Sequence, residues 1–397
     1  QFYDHEVVDP VQFPTRDEVL QCIPTANAPS PVNDPTLSGS WILAANLHGY
    51  SLTGDQEYAD KARMIFQGLV RLAGLARTSG YIPRGSVPGH DVVYPNSSAD
   101  QYTGFFYAMW RYWQSAIAKD QEKALAAGFI LDAAKLIESS GHDVPCDDLL
   151  PSFYGDMSNI DEVCRCCRLL QTYRTAFIMT GDEHWERLYR EKLEENDRKR
   201  LKRYHNLKEH PPELPVANWG MWQNQAAFRM LYESESEPDI KEAYRNILDE
   251  EARMALPRLK GWEACFDEKE TLVYPDRWRA FWPHFMAENP NHDRRRTTRL
   301  YHHHTFNRFI RDNEQRIKIP KEMLERGVVA KGVPGYHLQI LACAMYAEDR
   351  AIQEEAMKEG LPMLTTADLT RPGHCPALKC FEIAYWRAVE AGLMPQQ

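Results

Sequence analysis

The sequence predicts an all-α protein, and three observations carry that prediction. Apolar residues recur at helical spacing through most of the chain, and strand-like alternation is nearly absent. The helical stretches also come in pairs, joined by very short turns and separated by long connections rich in Gly, Pro and aromatics. In an antiparallel series of helices, alternate connections fall at opposite ends. The long connections are therefore expected on one face and the tight turns on the other.

The first pair shows the logic. Trp41, Leu43, Leu47 and Leu52 lead to Thr53-Gly54-Asp55, after which Tyr58, Ala62, Ile65, Phe66 and Leu69 resume the pattern. Gly54 suits a left-handed C-cap and Asp55 an N-cap for the next helix. Lys119-Asp120 joins helices over 101–118 and 121–138, and Thr180-Gly181-Asp182 joins 160–179 to 183–199. Glu235 to Pro238 joins 222–233 to 239–256, with Pro238 suited to a first helical turn. Glu348-Asp349 divides 337–347 from 350–360, a last helix covers 376–391, and 296–326 reads as one helix or two. The long connections are 77–100, 139–159, 201–220, 257–295, 327–336 and 364–375. Connections of this length, furnished with Trp, Tyr, Arg and His, point to function.

Composition narrows the function classes. The 397 residues carry 47 Lys+Arg against 57 Asp+Glu, a net charge of −10, so no basic field draws in nucleic acid or an anionic membrane. No apolar run reaches the ~18–20 residues that cross a bilayer, so no membrane insertion is expected. Nine cysteines, an odd number, exclude a fully bridged framework. The chain starts at Gln1 rather than Met, which reads as a removed export signal and gives a periplasmic or secreted location as the expectation. Cys164-Arg165-Cys166-Cys167 has no second cysteine pair for zinc, and His302, His303 and His304 face different sides of a helix. No metal and no cofactor is expected. Phosphate-binding Gly loops, His-Glu-x-x-His and Gly-x-Ser-x-Gly are absent, which leaves nucleotide hydrolysis, classical metalloproteolysis and α/β-hydrolase chemistry without support.

The helix–Thr-Gly-Asp–helix pairs, the Trp-rich stretch Tyr102–Trp113 and the long aromatic connections resemble the six-hairpin glycosidase superfamily. A superhelical solenoid is the competing architecture, but no fixed period is visible. The resemblance implies a single (α/α)6 toroid over 37–397, with 1–36 as an N-terminal segment packed on it. It also implies an active site at one end, and glycoside hydrolase or polysaccharide lyase activity.

The residues themselves suggest where. Helix N-termini delivered to one face give it a positive potential, suited to an anionic oligo- or polysaccharide. Glycoside hydrolysis commonly uses two carboxyl groups flanking the bond. Asp100, just before an apolar helix, is the first candidate, although it also stands where an N-cap belongs. Its partner is left open among Asp91, Asp156 and Asp276, with Asp34 behind them. Arg84, His90, Tyr94 and Tyr102, then Trp219 and Trp222, then Arg277 and Trp278, supply flat apolar faces and planar polar groups for a sugar. Tyr336 and His337, with His374, would instead suit β-elimination at a uronic acid. A sugar epimerase and a non-catalytic glycan-binding protein are the other readings, because unlike chemistries share a scaffold.

Overall fold

The computed structural model describes residues 16–17, 35–86, 91–95, 97–149, 151–160, 165–205, 218–263, 271–273, 277–291, 302–318, 328–330, 335–366 and 375–395. Among them the fold is all-α. Two helical pairs come first, α1 (Pro35–Thr53) with α2 (Gln56–Gly74) and α3 (Ala99–Gln114) with α4 (Asp120–Ser139). A small hairpin of β1 (Asp143–Pro145) and β2 (Pro151–Asp156) comes next. Two more pairs are α5 (Arg168–Thr180) with α6 (Glu183–His205), and α7 (Asn218–Ser234) with α8 (Pro238–Ala255). An inserted stretch then contains β3 (Thr271–Val273), α9 (Arg277–Glu288), α10 (His302–Asn313) and β4 (Val328–Ala330). The chain ends with α11 (Gly335–Ala344), α12 (Arg350–Thr366) and α13 (Cys375–Glu390).

The tight turns form as their chemistry dictates. Gly54 and Gly181 sit at φ 70° and 71°, and their N–H groups donate to Tyr50 O (2.8 Å) and Phe177 O (2.7 Å). Asp55 Oδ1 then accepts from Glu57 N and Asp182 Oδ1 from His184 N, both at 2.9 Å, capping α2 and α6. Helix α3 stops at Gln114, earlier than the periodicity suggests, because Ser115 turns extended and its hydroxyl donates to Tyr112 O at 2.6 Å. The cysteine run 165–167 is a turn ahead of α5 rather than part of a helix from 160. The stretch 257–295, irregular by its sequence, contains α9. That helix forms across Pro283 because Phe281, Trp282 and Phe285 give it a buried face against Phe309 and Ile310 of α10. Strands β3 and β4 close the base of this insertion, with Thr271 opposite Ala330.

Helix α1 packs on α3, α3 on α5, α5 on α7, α7 on α11, α11 on α13, and α13 on α1. Contacts join first turns to first turns, as Leu37 to Gln101 and Arg168 to Asp100, and last turns to last turns, as Arg111 to Glu233 and Arg387 to Met345. These six helices therefore run in the same direction. The middle is aromatic: Trp41 of α1 lies 4.4 Å from Trp222 of α7 and 5.5 Å from Tyr107 of α3 by ring centroids. Burying such rings is worth roughly 1.5–3 kcal/mol each at the usual area coefficient.

Parallel helices place their negative dipole ends together, and the sequence answers with arginines. Arg111 (α3), Arg229 (α7) and Arg387 (α13) lie in the second half of their helices, and Arg174 stands at the middle of α5. Arg111 meets Glu233 at 3.0 Å, Arg174 meets Glu186 at 2.9 Å, Arg229 pairs with Glu348, and Arg387 meets Glu390 at 2.5 Å. His48 Nε2 stands 3.4 Å from Glu390. The Tyr107 and Tyr346 hydroxyls lie 3.4 Å apart in the same layer.

Burial opposes ionisation of Glu390, but the His48 hydrogen bond and the Arg387 and Arg229 charges outweigh it and hold the carboxyl at about 2, against an ordinary 4.5. A depressed carboxyl binds protons more readily when unfolded, so its contribution is full above pH 4.5 and lost as pH falls toward 2. Melting of wild type and Glu390→Gln should therefore differ most near neutrality. The gap should close across that acid window. A gap that stays constant with pH would contradict the pairing.

Candidate functional site

The first turns of the six parallel helices meet at the end opposite the arginine layer. Leu37 N–H of α1 donates to Gln101 Oε1 of α3 at 2.9 Å, and Lys379 Nζ of α13 donates to Ser38 Oγ of α1 at 3.3 Å. Arg168, the first residue of α5, reaches Asp100 Oδ1 of α3 at 2.5 Å. The described parts of the connections after α2 and α4 arrive at the same end. Thr36 N–H donates to Arg84 O and its hydroxyl to Pro83 O, tying the connection after α2 to the start of α1. Asp147 Oδ1 accepts from both Arg77 N and Thr78 N at 2.9 Å, which ties that connection to the β1–β2 segment. Arg200 of α6 donates to Ser158 O and Cys166 O.

Asp100 is the second residue of α3, and Ser98 occupies the N-cap position. Its carboxylate is a quarter exposed, while the Arg168 side chain opposing it is 2% exposed. It is thus fixed from the protein side and open on the other. Asp156 is buried at the end of β2, and its Oδ1 accepts from Ser158 N (2.9 Å) and Oγ (2.7 Å). Asp91 is exposed, beside a shallow depression it shares with Arg77, Asp147 and Asp148. Strand β2 packs on α3, but among the described residues no hydrogen bond joins Asp91 or Asp156 to Asp100. Asp276, His90, Asp34 and His374 lie outside the described residues.

Several residues assigned from sequence to sugar contact are buried in this structure. Tyr102 is fully buried: its hydroxyl donates to Gly80 O and accepts from Ile82 N, each at 3.0 Å, and burial pushes its phenol well up. It fixes the backbone of the connection after α2. Gly80 must be glycine there, because a Cβ would lie 2.2 Å from Asp132 O. Tyr94 is buried beside it, its carbonyl accepting from Tyr81 Oη at 2.8 Å, and Arg84 is buried as well. Trp222 is 1% exposed against Trp41, so it belongs to the aromatic middle of the helices. Aromatic-rich composition alone cannot separate a packed Trp from a sugar platform. Trp219 lies in the first turn of α7, Arg277 and Trp278 open α9, and Tyr336 lies in the first turn of α11. His337 is half-buried, and burial lowers its pKa against the opposing pull of the Lys260 backbone and Glu263.

Four residues at this end escape a reading of the sequence. Arg168 has the pattern of the interior of a longer helix. Lys379 falls on the buried stripe of α13 with Ile383 and Trp386, and a lysine on a core-facing stripe is the available signal. Asn224 of α7 and Glu251 of α8 form a buried chain with Cys167. The Cys167 thiol donates to Asn224 Oδ1 (2.8 Å), whose amide donates to Glu251 Oε1 and Oε2 (3.2 and 3.0 Å). Burial pushes the Glu251 carboxyl well above the carboxylate range, despite Asn224 and Arg258. This chain anchors the start of α5, and with it Arg168, against α7 and α8.

A carboxyl pushed toward its neutral form by burial tolerates an amide in its place better than an ionised one does. Glu251→Gln should fall within about 1 kcal/mol of wild type at neutral pH, whereas Glu251→Ala strands the Asn224 amide and should cost about 1–3 kcal/mol more. Chemical denaturation of both variants checks this. Equal losses would show that Glu251 is not neutral in place.

Among the described residues, no group of three or more His, Cys, Asp or Glu is arranged to hold a metal ion, and no helix is long and apolar enough to cross a membrane. No protein-family model, curated protein or solved structure matches this chain.

Proposed function

We propose that the chain is a carbohydrate-active enzyme built as a single (α/α)6 toroid, and that it hydrolyses glycosidic bonds in an acidic, uronate-containing oligo- or polysaccharide. Support for the toroid comes from the order of packing. Helices α1, α3, α5, α7, α11 and α13 each pack on the next, α13 returns to α1, and α2, α4, α6, α8 and α12 pack behind them.

The observation that carries the functional reading is Asp100. It is a carboxylate held on one side by a buried guanidinium and open on the other. It stands at the end where helix first turns and long connections converge. In this reading Asp100 acts on the bond, with one second carboxyl group from the connections, in the two-carboxyl scheme of glycoside hydrolysis. The helix N-termini supply the field that favours an anionic sugar. The β-elimination alternative rests on Tyr336 and His337. It has weaker support, since His337 is engaged with the Lys260 backbone.

The test is incubation with oligosaccharides of glucuronate and galacturonate, with a reducing-end assay and product absorbance as readouts. Wild type should release saturated reducing ends. Asp100→Asn should lose nearly all turnover while remaining folded. The asparagine keeps an oxygen for Arg168 and loses only the charge, a cost of about 1–2 kcal/mol. Retained turnover in that variant would discard Asp100, and unsaturated ultraviolet-absorbing products would replace hydrolysis with elimination.

A further inference from the structure

We infer that Lys379 is the anion-recognising group of this site, holding the carboxylate of a uronic acid or an equivalent sulfate on a sugar ring. The inference rests on the reading of the site as carbohydrate-binding, and adds which residue selects charge.

Lys379 is 7% exposed, in the second turn of α13. Its contacts are the Ser38 hydroxyl at 3.3 Å and the face of Trp222, whose ring centroid is 5.9 Å from Nζ. Among the described residues, no carboxylate pairs with it. Withdrawing an ammonium from water without a counter-charge is unfavourable, and it is more so beside helix N-termini, whose dipoles repel a cation. Each of the four arginines in the layer at the opposite end has a carboxylate partner, in a chain of net charge −10. Among the described residues the lack of a counter-charge is therefore particular to Lys379.

Trp222, the ring under Lys379, is itself buried, so Lys379 and the Ser38 hydroxyl are the polar groups of the spot, and among the described residues they lack a charged oxygen acceptor. An anionic sugar supplies oxygen acceptors of both kinds, charged and hydroxyl. The spot and the candidate catalytic carboxylate share one end of the helices, where Leu37 N–H of α1 donates to Gln101 Oε1 of α3.

The experiment is a titration of wild type, Lys379→Met, Lys379→Arg and Asp100→Asn with D-glucuronate, glucose 6-sulfate and glucose, read by tryptophan fluorescence and calorimetry. Wild type should bind glucuronate or the sulfate at least tenfold more tightly than glucose. Lys379→Met should abolish that preference while melting as a folded protein, and Lys379→Arg should retain part of it. If Lys379→Met fails to fold, the arginine variant and the charge preference of wild type still decide. Preference for the anion that survives in Lys379→Met, or wild type that binds all three sugars alike or none, overturns the inference. The carboxylate and sulfate arms separate the two sources of charge. Asp100→Asn keeps the preference even where turnover is lost, so failure of the catalytic assignment and failure of this one are distinguishable.

Discussion

The fold depends on aligned helix dipoles. Six helices that run in one direction place six partial negative ends together and six partial positive ends together, and both ends must be compensated. At the finishing ends the compensation is built in. Arg111, Arg174, Arg229 and Arg387 bring positive charge, and Glu233, Glu186, Glu348 and Glu390 then balance the arginines. Tyr107 and Tyr346 fill the space between. The buried aromatic pair of Trp41 and Trp222 separates this layer from the other end.

At the starting ends compensation is incomplete among the described residues. Asp100 faces Arg168, but Lys379 has only a hydroxyl and an indole face. Among the described residues one end is internally satisfied, and in the proposed reading an external anion completes the other. The described parts of the long connections reach that second end because the tight turns occupy the first, so topology and electrostatics point the same way.

Much of the architecture is legible in the sequence. The Thr-Gly-Asp turns at Thr53 and Thr180 announce their own geometry, since glycine alone takes the left-handed position cheaply and aspartate caps the next helix. The site is legible only in part. Asp100 stands out because it precedes an apolar helix, but its partner Arg168 is hidden, because the turn at 165–167 carries no breaker residue. The burial of Tyr102 and Trp222 is not legible, because local composition says nothing of which face of a helix turns inward. Helix α9 is obscured because Pro283 is a local stop signal, overridden by burial of Phe281 and Phe285.

The most direct measurement is a crystal structure soaked with glucuronate. Sugar density is expected between the first turns of α1, α3 and α13, with the carboxylate within ion-pairing reach of Lys379 Nζ and the ring on the side of Asp100 away from Arg168. Sugar bound instead in the arginine layer, or a carboxylate turned away from Lys379, would contradict the proposed division of the molecule into a satisfied end and a receptive one.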